Sequence, residues 1–126
     1  RSADAFAMDA VITSPGSVDM YSPKVVRSTA GSLWHIPVFE SVSIADVLAM
    51  GVKAFSLGAE GSKNLSQYQM LGDTLAVFGN EARGLSTGQN VESIDVVSIP
   101  MPGNAESLNL SAAASIVMYH LSNMPR

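Results

Sequence analysis

Cysteine is absent from this 126-residue chain. That excludes disulfides, Cys-based zinc sites and a thiol nucleophile. No apolar run approaches the roughly 18 residues of a membrane-spanning helix, and no secretory signal opens the sequence. A cytoplasmic location is expected. Basic residues are scarce, seven Lys+Arg against eleven Asp+Glu, for a formal net charge of −4. Phosphate contacts need Lys and Arg, so this balance is wrong for an isolated nucleic-acid binder. The signatures G-x-G-x-x-G and G-x-x-x-x-G-K-[ST] are both missing, which leaves a nicotinamide or nucleoside-triphosphate site without support. The two histidines, His35 and His120, show no paired ligand spacing, and no metal site is expected. What is present is a 47% hydrophobic complement, enough for one compact domain with a core over residues 1–126.

Apolar segments and turn signals alternate in a way that predicts an α/β fold, a mostly parallel sheet with helices on both faces. Strands are expected at Ala10–Thr13, Val38–Glu40, Lys53–Leu57, Leu75–Phe78 and Val96–Ile99. Ser22 followed by Pro23 is a helix start, and that helix is expected to run to about Leu33. Ser43-Ile44-Ala45-Asp46 resembles a capping box for a helix that reaches Met50 and stops at Gly51. Residues 58 to 73 are the most loop-like stretch, and the final helix spans Leu108 to about Asn123.

The densest chemistry lies in Val96–Tyr119, VVSIPMPGNAESLNLSAAASIVMY. A β-branched strand runs into a Pro/Gly loop, then Glu106-Ser107-Leu108-Asn109, then an alanine-rich helix. Open α/β sheets bind ligands at such strand-to-helix junctions, outside the carboxyl ends of the strands. Ser107 is the expected N-cap, with Asn109 in the first turn. A second junction follows Leu75-Ala76-Val77-Phe78, in Gly79-Asn80-Glu81-Ala82-Arg83-Gly84-Leu85-Ser86. Gly79 and Gly84 permit positive φ or close backbone approach to a bound molecule. A third segment places Lys24 and Arg27 three residues apart on one helix face, either a solvated basic face or an anion contact. Trp34 is expected to anchor packing rather than to stack on bases, and the seven methionines to fill core gaps.

Three segments, PKVVRSTAGSLWHIPV (Pro23 to Val38), LAVFGNEARGLS (Leu75 to Ser86) and IPMPGNAESLNLSAAASI (Ile99 to Ile116), resemble the ordered motifs of the SpoU-type branch of the SPOUT superfamily. These are RNA ribose 2′-O-methyltransferases that use S-adenosyl-L-methionine. Arg1-Ser2-Ala3-Asp4-Ala5-Phe6 resembles the end of the family's first motif, Asn-x-Gly-x-x-x-Arg, with Arg1 as its arginine. The Asn, the Gly, the preceding strand and an initiator Met are missing, so an N-terminally truncated catalytic domain is expected. Ala82 and Asn80 depart from the usual pattern.

The resemblance implies a deep C-terminal trefoil knot, which pattern alone would argue against because knots are rare. It places Leu57, Gly58, Gly79, Ile99, Met101, Gly103 and Leu108 around the cofactor. It assigns a catalytic set of Arg1, Glu81, Ser107 and Asn109. Arg1 would orient a phosphate, since an arginine stays protonated, and Asn109 would bond the ribose or order the loop. Ribosomal RNA is the expected substrate, with transfer RNA the nearest rival. A non-catalytic nucleotide- or partner-binding module is the alternative from a different class. Given the net charge, most RNA affinity is expected in a missing domain or in a localised patch. The broad apolar surface of the last helix, through Leu110, Ala113, Ile116, Val117, Met118 and Leu121, predicts a homodimer.

Overall fold

A computed structural model describes residues 1–79 and 94–125. The described elements are, in order, α1 (Ser2–Ala5), β1 (Val11–Ile12), α2 (Pro23–Thr29), a 3₁₀ turn (Ser32–Trp34), β2 (Val38–Phe39), α3 (Ile44–Ala49), β3 (Lys53–Leu57), β4 (Lys63–Asn64), a second 3₁₀ turn (Leu65–Gln67), β5 (Thr74–Val77), β6 (Asp95–Ser98) and α4 (Leu110–Ser122). Every strand pairing is parallel, as the alternation predicts. The strands form two sheets, β1-β2 and β4-β6-β3-β5. The knot is implied by the resemblance alone, and residues 80–93 lie outside the described set.

Parallel strands buried on both faces read as continuous apolar runs. Strand β3 fits that rule. Ala54, Phe55 and Ser56 are buried, and β3 is flanked by β5 and β6. Phe55, Val97 and Val117 are fully buried, and Leu65 and Tyr68 complete the cluster with them. Val117 brings α4 onto this core. The phenol of Tyr68 donates to Asp95 Oδ2 at 3.1 Å, and Lys63 Nζ reaches the same oxygen at 3.3 Å. Burial and that carboxylate push the Tyr68 hydroxyl up to about 12.

Several boundaries differ from expectation. The helix expected from Ser22 to Leu33 ends at Thr29, because Ala30 (φ 49°) and Gly31 (φ 92°) turn through the left-handed region. Within the loop-like stretch 58–73, Lys63 and Asn64 pair with Val97 and Ser98 as β4. Trp34 anchors no core. It is 69% exposed, with its ring against Tyr21 at 6.1 Å between centroids. The last helix begins at Leu110, and its N-cap is Asn109 rather than Ser107.

Candidate active site

The cap at Asn109 sets the geometry of the junction. Its Oδ1 accepts from the Ser111 N–H at 2.9 Å and from the Ala112 N–H at 3.4 Å, and its carbonyl accepts from the Ala113 N–H at 2.9 Å. Asn and Ser are near-equal caps. Here the residue nearer the helix takes the position, and Ser107 is left two residues upstream in the loop.

That loop closes a cleft of about 330 Å³. One wall comes from the end of β3 (Leu57, Gly58, Ala59) and another from the end of β5 (Val77, Phe78, Gly79). Ile99 and Met101 follow β6, Glu106, Ser107 and Leu108 form the loop, and Leu110 and Ala113 come from α4. All three strands contribute their carboxyl ends, the position where open parallel sheets bind ligands. Gly79, at φ 96°, turns the chain out of β5 in a conformation that L side chains resist. Gly58 donates its N–H to the Val97 carbonyl at 3.0 Å, and the turn through Gly61 lies flat on β6. A Cβ on Gly61 would meet Ser98 N at 2.6 Å, which leaves no room for a side chain there.

The structure thus brings together six of the seven residues expected around a cofactor: Leu57, Gly58, Gly79, Ile99, Met101 and Leu108. Ser107 joins them. Gly103 does not line the cleft, and space is open around its Cα. Asn109 stands next to the cleft as the helix cap. Arg1 lies elsewhere, at the start of α1. That short helix is held on α4 by Ser2, whose hydroxyl donates to Ser115 Oγ at 2.7 Å while Ser115 donates to the Ser111 carbonyl. Phe6 packs edge-on against Tyr119 in the same contact. Glu81 lies outside the described residues. Sequence reasoning missed Ala59, Val77, Phe78, Glu106, Leu110 and Ala113 as lining residues. Glu106 was visible inside the polar burst; Val77 and Phe78 read as strand, Ala59 as part of the loop-like stretch, and Leu110 and Ala113 as the apolar surface of a dimer helix.

The lining chemistry is selective. Among the described residues, Glu106 is the only charged side chain and Ser107 the only hydroxyl. Phosphate sites need N–H nests or cations, and no Lys or Arg is here. Apolar walls with a few placed polar groups suit a flat, neutral heterocycle. A carboxylate at the rim suits a positively charged group better than a phosphate.

A sequence model of the SpoU rRNA Methylase family matches residues 1–119. The chain belongs to the SpoU rRNA methylase family. It is 35% identical over 125 residues to the 23S rRNA (guanosine(2553)-2′-O)-methyltransferase RlmP of Bacillus subtilis, covering 96% of this chain and 50% of that protein. It is 34% identical to a 23S rRNA (uridine(2479)-2′-O)-methyltransferase of Streptomyces viridochromogenes, covering 94% of this chain and 45% of that one. Among solved structures, the SpoU methyltransferase AviRb from Streptomyces viridochromogenes, in complex with AdoMet, aligns with a TM-score of 0.77 at 29% identity. That alignment covers 97% of this chain and 49% of AviRb. The chain therefore spans about half the length of the curated relatives it matches.

Among the described residues, no helix is long and apolar enough to cross a membrane. No group of three or more acidic or histidine residues among them is placed to hold a metal ion.

Proposed function

We propose that this SpoU-family chain forms the cofactor-binding part of an enzyme that methylates a ribose 2′-OH of RNA, with ribosomal RNA as the substrate and S-adenosyl-L-methionine as the donor. One observation carries this reading. The strand ends and the 106–108 loop converge on a cleft whose described lining has apolar walls, one carboxylate and no cation. When bound, the cofactor supplies a methyl group activated on a sulfonium. Leu57, Phe78, Ile99 and Leu108 would hold the flat ring system and keep water from it, and Glu106 would offset positive charge. The Asn109 Oδ1 caps α4, so its Nδ2 is the group left to donate to a ribose or to the loop. Ser107, on the cleft wall, would orient the acceptor hydroxyl, and Glu81 and Gly103 keep the roles the resemblance gives them. A cytoplasmic location goes with this reading.

Two further features belong to this reading. First, among the described residues β1 pairs only with β2 and β5 only with β3, and both line a slot of about 240 Å³. Ile12, Thr13 and Ser14 line it opposite Leu75, Ala76, Val77 and Phe78. One more parallel strand placed between them would unite the two sheets, and the resemblance places such a strand ahead of Arg1. Val77 and Phe78 line both slot and cleft, so that strand would also brace the site. Second, α4 leaves Ile116 (39%) and Tyr119 (60%) exposed on one face, with Phe6 against Tyr119. A second copy would cover them, making a homodimer. The resemblance completes each site near the interface, which accommodates an Arg1 absent from the cleft of its own chain.

Calorimetry with S-adenosylmethionine and a methyl-transfer assay on ribosomal and transfer RNA test the reading. Binding together with ribose methylation of ribosomal RNA is expected. Binding without transfer to any RNA would leave a non-catalytic module. No heat and no shift in thermal unfolding at millimolar ligand would refute the cofactor assignment.

A further inference from the structure

Lys24 and Arg27 are exposed on α2, a helix that carries no acidic residue, and neither side chain has a partner among the described residues. Beside that helix stand two aromatic rings in solvent. The turn through Ala30 and Gly31 folds the 3₁₀ segment back, so that Trp34 meets Tyr21 in front of the N-cap of α2. Trp34 is 69% exposed and Tyr21 49%. Trp34 is the single tryptophan of the chain. Leaving an indole in water forgoes the burial that normally stabilises a fold, so its place in solvent asks for an occupant. Two neighbouring carboxylates are engaged with backbone instead. Asp19 Oδ1 accepts from the Tyr21 N–H and Glu40 Oε1 from the Met20 N–H.

We propose that Tyr21, Trp34, Lys24 and Arg27 form a docking patch for a single-stranded segment of RNA, outside the cofactor cleft. Single-stranded nucleic acid is held by aromatic faces on which bases stack and by cations that follow the phosphates. This patch supplies both within one short stretch of a chain whose net charge is −4. With Asp19 and Glu40 beside the rings the patch carries no net charge, so stacking supplies the hold and the two cations the contacts to phosphate. The inference rests on RNA being the substrate, and it names where that substrate touches this chain apart from the reacting ribose.

The single tryptophan makes the test direct. The chain is titrated with a 12-nucleotide single-stranded RNA at low salt, with Trp34 emission and the polarisation of a labelled RNA read in parallel. Saturable quenching of Trp34 that follows the polarisation curve is expected. Trp34→Ala should weaken binding about five- to hundredfold, the loss of one stacked base, while Trp34→Phe keeps most of it. Changing Lys24 and Arg27 together to Gln should reduce the slope of log affinity against log salt by about 1.4. Circular dichroism of each variant confirms folding, since exposed positions are being changed. RNA binding with no change in Trp34 emission, and equal affinity for Trp34→Ala, would overturn the patch while leaving the methyltransferase reading intact. No RNA binding at all would overturn it as well, with cofactor calorimetry still judging the cleft. A drop in sedimenting mass for Trp34→Ala would show instead that the patch is a contact between two copies, and would also overturn it.

Discussion

Asn109 has two polar groups, a capping oxygen and an amide donor, that substitution can separate. Its Oδ1 accepts from two backbone amides of the first turn of α4, at 2.9 and 3.4 Å. Removing such a cap destabilises by about 1 kcal/mol. In a domain of this size that is a fall in Tm of roughly 3–6 °C. Asn109→Ala should show that fall by calorimetry or circular dichroism. The chain should remain folded at assay temperature, because Val97 and Val117 still anchor the sheet and α4. Asn109→Asp keeps an acceptor at the cap, and a carboxylate is favoured at a helix N-terminus. Its Tm should stay within about 2 °C of the parent, which corresponds to a change of a few tenths of a kcal/mol. What Asp lacks is the Nδ2 donor. If that donor serves the ribose or the site loop, both variants should lose methyl transfer by at least about tenfold, the kinetic equivalent of one hydrogen bond of 1.4 kcal/mol. Rates must be expressed per folded molecule. Full transfer activity in Asn109→Asp would refute the donor role and leave Asn109 as a helix cap alone.

Other outcomes follow from contacts equally local. Gly61→Ala should destabilise more than Gly58→Ala in denaturant unfolding, by about 1–3 kcal/mol; its Cβ meets backbone of β6 at 2.6 Å, whereas that of Gly58 meets only the Val96 side chain, at 2.7 Å. Equal midpoints would refute the fit of that turn. The Tyr68 hydroxyl is raised above its ordinary value to about 12, so its contribution is complete below pH 10 and is lost as pH rises from 10 towards 12. Tyr68→Phe should flatten the alkaline limb of stability between those values, and an unchanged limb would count against the Asp95 contact. Asp4 is held below the ordinary carboxylate range first by its hydrogen bond to His35, 3.0 Å away, and then by Ser32. That contribution is present above the usual carboxylate pKa and fades as pH falls through the lowered one, so Asp4→Asn should make the acid limb shallower. Ile116→Lys or Tyr119→Lys, on the exposed face of α4 away from the cleft, should give a monomer mass by light scattering if that face joins two copies; an unchanged dimer would exclude it.

The cleft was legible in the sequence for a physical reason. Side chains and amides at the carboxyl ends of neighbouring parallel strands must converge, so locating the strands locates the site. Lys53–Leu57 has the expected bounds, and Leu57, Gly58, Gly79 and Ile99 follow from where β3, β5 and β6 stop. Positions decided by partners far along the chain were not legible. Lys63-Asn64 has no strand pattern of its own and pairs because β6 presents an open edge. The choice between Ser107 and Asn109 as cap depends on where the loop leaves the helix, and both residue types favour that place. Arg1 could be matched to a motif, but which groups it meets depends on how α1 packs; that four-residue helix is tied to α4 through Ser2 and Ser115, and Arg1 is outside the described lining of the cleft. Trp34 failed in the opposite sense. An aromatic residue after a helix is ordinarily buried, and only the left-handed turn at Ala30 and Gly31 carries this one into solvent. Local sequence sets where strands end and which ligand chemistry lines those ends; packing decides which of the remaining polar and aromatic groups stand beside them. Trp34, which packing carries to the surface beside α2, lies on a face that a second molecule could reach. We propose that RNA covers that face and that a second copy covers Tyr119 on α4.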